Sequence, residues 1–78
     1  MAKKTNKGQL TNNIRRLRFD HDEMSQKVLA EKVGVSRQTI VAIEAAKYSP
    51  SLELAFQIAH AFETPIEEVF GYIPPPPE

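Results

Sequence analysis

Residues Gln26–Lys47 read QKVLAEKVGVSRQTIVAIEAAK. The spacing predicts two short helices joined by a tight turn at Gly34. Ser25 precedes the first helix and Ser36 the second. A serine hydroxyl at either point accepts an orphan N–H of the opening turn. Met24 with Leu29, and Val35 with Ile40, stand at the two positions of a hydrophobic staple. Gly34 falls where the first helix must stop and the chain needs φ > 0, which only glycine adopts freely. Ala30 is small and lets the second helix cross close above the first. Leu29, Val33, Val35, Ile40 and Ile43 are the apolar positions that fasten the pair to a core.

Two short helices about a glycine turn make a helix-turn-helix, a DNA-binding arrangement. The segment resembles that of the Xre/Cro family of transcriptional regulators. Ser25-Gln26, Leu29-Ala30, Gly34-Val35, Ser36-Arg37-Gln38-Thr39-Ile40, Ile43-Glu44 and Lys47 stand at the family's spacings. The likeness continues through Tyr48 to Ala55 and on to Glu68-Val69-Phe70. It implies an all-α, five-helix, lambda-repressor-like DNA-binding domain, with at most a short C-terminal β-strand. It also implies a sequence-specific transcriptional regulator that binds a near-palindromic operator as a homodimer. Repression is the expected sign, because blocking a promoter needs only occupancy.

Ile40 and Ile43 face the core, so Arg37, Gln38 and Thr39 project from the start of the second helix, the end that enters the major groove. Arginine bonds guanine bidentately and glutamine bonds adenine, each contact discriminating by about 1–3 kcal/mol. Ala42 lies one turn beyond Gln38 and offers a methyl contact to thymine. Ser36 is both a cap and a candidate phosphate ligand. Gln26 opens the first helix, where side chain and backbone N–H meet a phosphate. The resemblance favours that role over an idle surface glutamine. Lys27 is a phosphate candidate or solvated surface, and Lys47 and Tyr48 stand where the family contacts the next phosphates.

The resemblance further pairs Arg18, near the end of an earlier helix, with Glu44. This chain departs from the family in two places. Phe19-Asp20-His21-Asp22-Glu23 makes the stretch before Gln26 about one residue longer, and Ala46 stands where Gly or Asn is common. If the backbone is left-handed at Ala46, alanine costs about 1 kcal/mol relative to glycine.

Charge is segregated along the 78 residues, although the net charge is zero. All ten basic residues lie between Lys3 and Lys47 with five acids among them, a net +5. Residues 48–78 hold five acids and no Lys or Arg, a net −5. A protein with one polyanion-facing half shows this split. The length allows one domain near the lower limit of independent stability, which oligomerisation would help. There is no cysteine, hence no disulfide or thiolate metal site. No apolar run approaches the roughly 20 residues of a membrane span, and no signal peptide is visible. The expected compartment is the cytoplasm, at the nucleoid when bound to DNA.

In chain order, residues 1–10 read as a flexible basic tail, 11–73 as the DNA-binding and dimerisation domain, and 74–78 as a Pro-rich tail. The first tail is either an arm touching phosphates or a plain terminus. Asn12 or Asn13 opens helix 1, with Leu10, Ile14 and Leu17 as its apolar stripe, ending near His21. His21, in an acidic turn, reads as solvated. Ser51 caps a helix whose apolar residues cover much of its circumference, so it is buried in the domain, in an interface or in both. Thr64-Pro65-Ile66-Glu67 reads as a capping box opening a short fifth helix. Ile66, Phe70, Tyr72 and Ile73 exceed what a small monomer exposes and are the expected two-fold dimer interface.

A rival reading is an antitoxin-like or other protein-interaction module that binds a partner through its acidic C-terminal half. Catalysis is not expected. No nucleophile–base pair, metal-ligand spacing or phosphate loop is present, and His21 and His60 are the only histidines. No cofactor and no metal are expected.

Overall fold

The computed structural model describes residues 8–77. The element order is β1 (Gln9–Asn12), α1 (Ile14–Asp20), α2 (Gln26–Val33), α3 (Arg37–Glu44), α4 (Leu52–Ala61), α5 (Ile66–Val69) and β2 (Phe70–Ile73). Five helices with one short two-stranded sheet are thus the fold. The basic stretch Met1–Lys7 lies outside the described residues, as does Glu78.

Serine caps set the starts of three helices. The hydroxyls of Ser25, Ser36 and Ser51 accept the N–H groups of Val28, Thr39 and Leu54 at 3.0–3.1 Å. Each satisfies a donor that the first turn leaves without an intrahelical partner. Helix ends are set by left-handed residues. Gly34 has φ 77°, and the N–H groups of Gly34 and Val35 both reach the Ala30 carbonyl. Ala46 has φ 62°, with its N–H on the Ile43 carbonyl and that of Lys47 on the Ala42 carbonyl, both 2.9 Å. This crossed pair is a Schellman motif. Glu63, φ 52°, closes α4 in the same way.

Ile14, Leu29, Ile40, Ile43, Ile58, Phe62 and Val69 are the largest fully buried side chains. Every helix contributes at least one of them, so the core ties all five together. Met24 and Val35 pack against this core beside Leu29 and Ile40, as staples do. On α4, Leu54, Ala55, Ile58 and Ala59 are buried, while Leu52 and Phe56 are exposed at 72% and 52%.

Local patterning misplaces three features. Leu10 is not in helix 1: with Gln9 it forms the start of β1, which pairs antiparallel with β2, Leu10 opposite Tyr72 and Asn12 opposite Phe70. The spacing Leu10–Ile14–Leu17 fits a helix, but the partner strand lies some sixty residues away, beyond any local signal. Helix 1 opens as expected at Asn12 and Asn13: Asn12 Oδ1 accepts the Ile14 N–H at 3.1 Å, and Asn13 stands at the cap position. His21 is half-buried rather than solvated. Its Nδ1 lies 2.8 Å from the Leu17 carbonyl oxygen and its Nε2 3.0 Å from that of Phe62, joining the ends of α1 and α4. The capping box of α5 is not formed. The Thr64 hydroxyl turns back to donate to the Phe62 carbonyl at 2.9 Å, and Pro65 takes the cap position.

Asn12 also fixes α3. Its Nδ2 donates to the carbonyl of Ile43 at 3.1 Å and to that of Glu44 at 3.4 Å. One side chain therefore caps the start of α1 and the end of α3. Asn12→Ala should lower stability by about 2 kcal/mol, combining a lost cap with an unmet carbonyl. Asn12→Asp retains the cap acceptor but sets a carboxylate against two carbonyls. In urea melts it should be no more stable than the alanine variant, and wild-type stability would show that the latch contributes nothing. Ala46→Gly, at an exposed left-handed position, should add about 1 kcal/mol and raise Tm by several degrees. An unchanged Tm would mean that the turn stores no strain.

Candidate nucleic-acid interface

The outer face of the helix-turn-helix begins at the capped start of α3. Arg37 and Gln38 are exposed there, and Arg37 forms no ion pair among the described residues. Thr39 is half-buried, and its hydroxyl lies 2.9 Å from that of Ser36. Those two hydroxyls serve the helix start, because Ser36 Oγ also accepts the Thr39 N–H. Ala42 is half-buried one turn after Gln38, and Val41 and Ala45 stand exposed beside it.

Beneath this face lies a charged network. Arg18 Nε donates to Glu44 Oε1 at 3.0 Å and Arg18 Nη2 to Glu44 Oε2 at 2.8 Å. The two parallel bonds are the bidentate geometry that makes arginine–carboxylate pairs strong and directional. Both side chains are more than four-fifths shielded from solvent. Arg18 Nη1 also donates to the Met24 carbonyl at 2.9 Å, tying in the turn before α2. The longer loop between α1 and α2 is absorbed by Asp22 and Glu23, both left-handed at φ 60° and 55°.

Gln26, at the first position of α2, donates through Nε2 to Glu44 Oε2 at 3.2 Å. The structure therefore adds Gln26, expected at a phosphate, to the expected Arg18–Glu44 pair. Spacing along the chain carries no signal for the Gln26–Glu44 bond, since it depends on how α2 crosses α3. Lys27, Lys47 and Tyr48 are exposed, with Lys47 and Tyr48 directly after the Schellman turn at Ala46.

The four residues expected at a dimer interface do not share one surface. Ile66 and Phe70 are half-buried against the core. Tyr72 and Ile73 are exposed, and strand alternation sets Phe70 and Tyr72 on one face of the sheet and Ile73 on the other. An apolar groove lined by Leu10, Pro50, Leu52, Ala55, Ile66 and Phe70 joins the first two to α4. Among the described residues, no group of three or more His, Cys, Asp or Glu could hold a metal ion, and no helix is long and apolar enough to cross a membrane.

Comparison with known proteins agrees with this geometry. A helix-turn-helix family model matches residues 14–69. An uncharacterized HTH-type transcriptional regulator of Methanocaldococcus jannaschii is 51% identical over 63 residues, covering 81% of this chain and 94% of its own. Another of Bacillus subtilis, YgzD, is 51% identical over 55 residues, covering 70% of this chain and 79% of its own. In fold, the chain is similar to the crystal structure of the transcriptional regulator VanUg, at TM-score 0.71 and 21% identity. That match covers 95% of this chain and 97% of the other. With the capped helix pair, the glycine turn and the family match over most of its length, the chain belongs to the Xre-like helix-turn-helix family of DNA-binding transcriptional regulators.

Proposed function

We propose that the protein is a sequence-specific repressor that binds a near-palindromic operator as a homodimer in the cytoplasm. Two copies of α3 lie in successive major grooves about 34 Å apart, so the half-sites repeat at one helical turn. The observation that carries this reading is the exposure of Arg37 and Gln38 at the capped start of a helix braced by the Arg18–Glu44 pair. Long side chains on a fixed platform suit base reading, because their reach is not lost to motion of the helix itself.

Arg37 and Gln38 carry most of the specificity. Thr39 contributes less, since its hydroxyl already serves Ser36, and Ala42 supplies a methyl surface. Gln26 and Lys27 at the start of α2, Ser36, and Lys47 with Tyr48 after α3 bond phosphates. These contacts supply affinity that falls with salt but carry no sequence information. In fluorescence-anisotropy titrations, Arg37→Ala/Gln38→Ala should bring binding to a selected operator down to the level of scrambled DNA. Retained preference for the operator would remove these residues from base recognition.

Dimerisation uses the groove of Leu10, Leu52, Ile66 and Phe70, extended by Tyr72 on the same sheet face as Leu10. Ile73, on the opposite face, belongs to its margin. Leu52, at 72% exposure, contributes little to the fold of one protomer. Leu52→Glu should therefore shift sedimentation equilibrium toward monomer while leaving the melting of the domain nearly unchanged. An undiminished dimer would move the interface elsewhere. Co-purification of a second protein that depends on Leu52 would favour the interaction-module reading.

A further inference from the structure

Arg15, Arg18 and Phe19 stand at i, i+3 and i+4, so they share one face of α1. Arg18 turns inward to Glu44, whereas Arg15 and Phe19 remain exposed, Phe19 at 67%. Across from them stand Val41 of α3 and Ala45 at its end, and Gln26 and Glu44 join in lining the same cleft. The cleft therefore opens beside the outward face of α3, next to the start of α2.

Its charge balance is one-sided. The Glu44 carboxylate is already matched by Arg18. Arg15 has no ion-pair partner among the described residues. Arg16, beside it, meets Asp20 only at 4.0 Å with its own side chain 83% exposed, a separation and exposure that contribute little. The cleft thus offers uncompensated positive charge between apolar walls. A nucleic-acid backbone matches that combination, presenting a phosphate for the guanidinium and a sugar ring for apolar side chains.

We propose that the α1–α3 cleft seats the sugar–phosphate backbone of the DNA strand bordering the groove that α3 enters. The Arg15 guanidinium donates to a phosphate oxygen, and Phe19 and Val41 lie against the adjoining deoxyribose. This rests on α3 as the groove-entering helix. It extends the footprint past the contacts of α2 and α3, and it gives Phe19 a task that neither core nor cap supplies.

The test is an anisotropy titration of wild type, Arg15→Ala and Arg37→Ala/Gln38→Ala over a range of salt concentrations. The probes are a duplex recovered by random-site selection with the wild-type protein and a scrambled duplex. Alanine is the best helix former and Arg15 is exposed, so the fold is retained, which a thermal melt verifies. Arg15→Ala should weaken binding about fivefold on both duplexes alike. The slope of log K against log salt should become shallower by about 0.9 for each Arg15 engaged. Unchanged affinity and slope would overturn the proposal, and so would a loss confined to the selected duplex, because Arg15 would then read bases. The double variant separates the two readings. If it keeps the sequence preference, base reading by α3 fails, while the Arg15 slope still decides the cleft.

Discussion

The Arg18–Glu44 pair is the constraint on which the DNA-facing geometry depends. It bridges the last turn of α1 to the last turn of α3 across 26 residues of chain. Its third nitrogen holds the Met24 carbonyl, and its carboxylate also takes the Gln26 amide. Both helices of the helix-turn-helix are thus tied to one ion pair. The pair is part-buried, so removing one partner costs less than the roughly 3–5 kcal/mol of a fully buried pair but leaves a largely shielded charge unmatched. A domain this small has a total stability of about 5–15 kcal/mol. The pair is therefore a fold element as much as a surface element, and the recognition face inherits its rigidity.

Asn12 plays the matching part with neutral groups. It caps α1 and holds the final carbonyls of α3, while Asn13, the next residue, donates from its backbone to Val69 and from its side chain to the Glu68 carbonyl. The entry to α1 is in this way joined to α3 on one side and to α5 on the other. The short sheet follows from this: β1 and β2 are the segments that lead into Asn12 and out of Val69. Gly71 makes room for Thr11 where the strands meet, since a Cβ there would lie 2.7 Å from the Thr11 hydroxyl and would make it shift.

The elements that were legible in the sequence are those set by residues close along the chain. Ser25, Ser36 and Ser51 announce α2, α3 and α4, and Gly34 announces the turn, whereas an alanine at position 46 leaves the left-handed backbone there open. What was not legible depends on distant partners. Leu10 satisfies a helical spacing and yet pairs with Tyr72. His21 sits in a run of acids, which says nothing of the Phe62 carbonyl that it reaches. Thr64 has the spacing of a capping box, but its hydroxyl finds a nearer acceptor at the end of α4. The shared face of Arg15, Arg18 and Phe19 could be read from spacing, but only the packing of α1 beside α3 gives that face a neighbour.

The mutual bond of Ser36 and Thr39 has a consequence for how the proposed reader works. Two hydroxyls at the start of α3 are committed to holding the helix in place, which leaves Arg37 and Gln38 as the long polar side chains able to read bases. At about 1–3 kcal/mol for each bidentate contact, the two proposed readers would give one protomer about 2–6 kcal/mol of discrimination. Specific DNA-binding proteins operate with about 4–10 kcal/mol between specific and non-specific sites. One protomer reaches only the lower part of that range, and two, at about 4–12 kcal/mol, span it. A reader with so few base contacts needs its second copy for specificity as well as for stability, which is the physical reason that dimerisation and base recognition belong to one proposal.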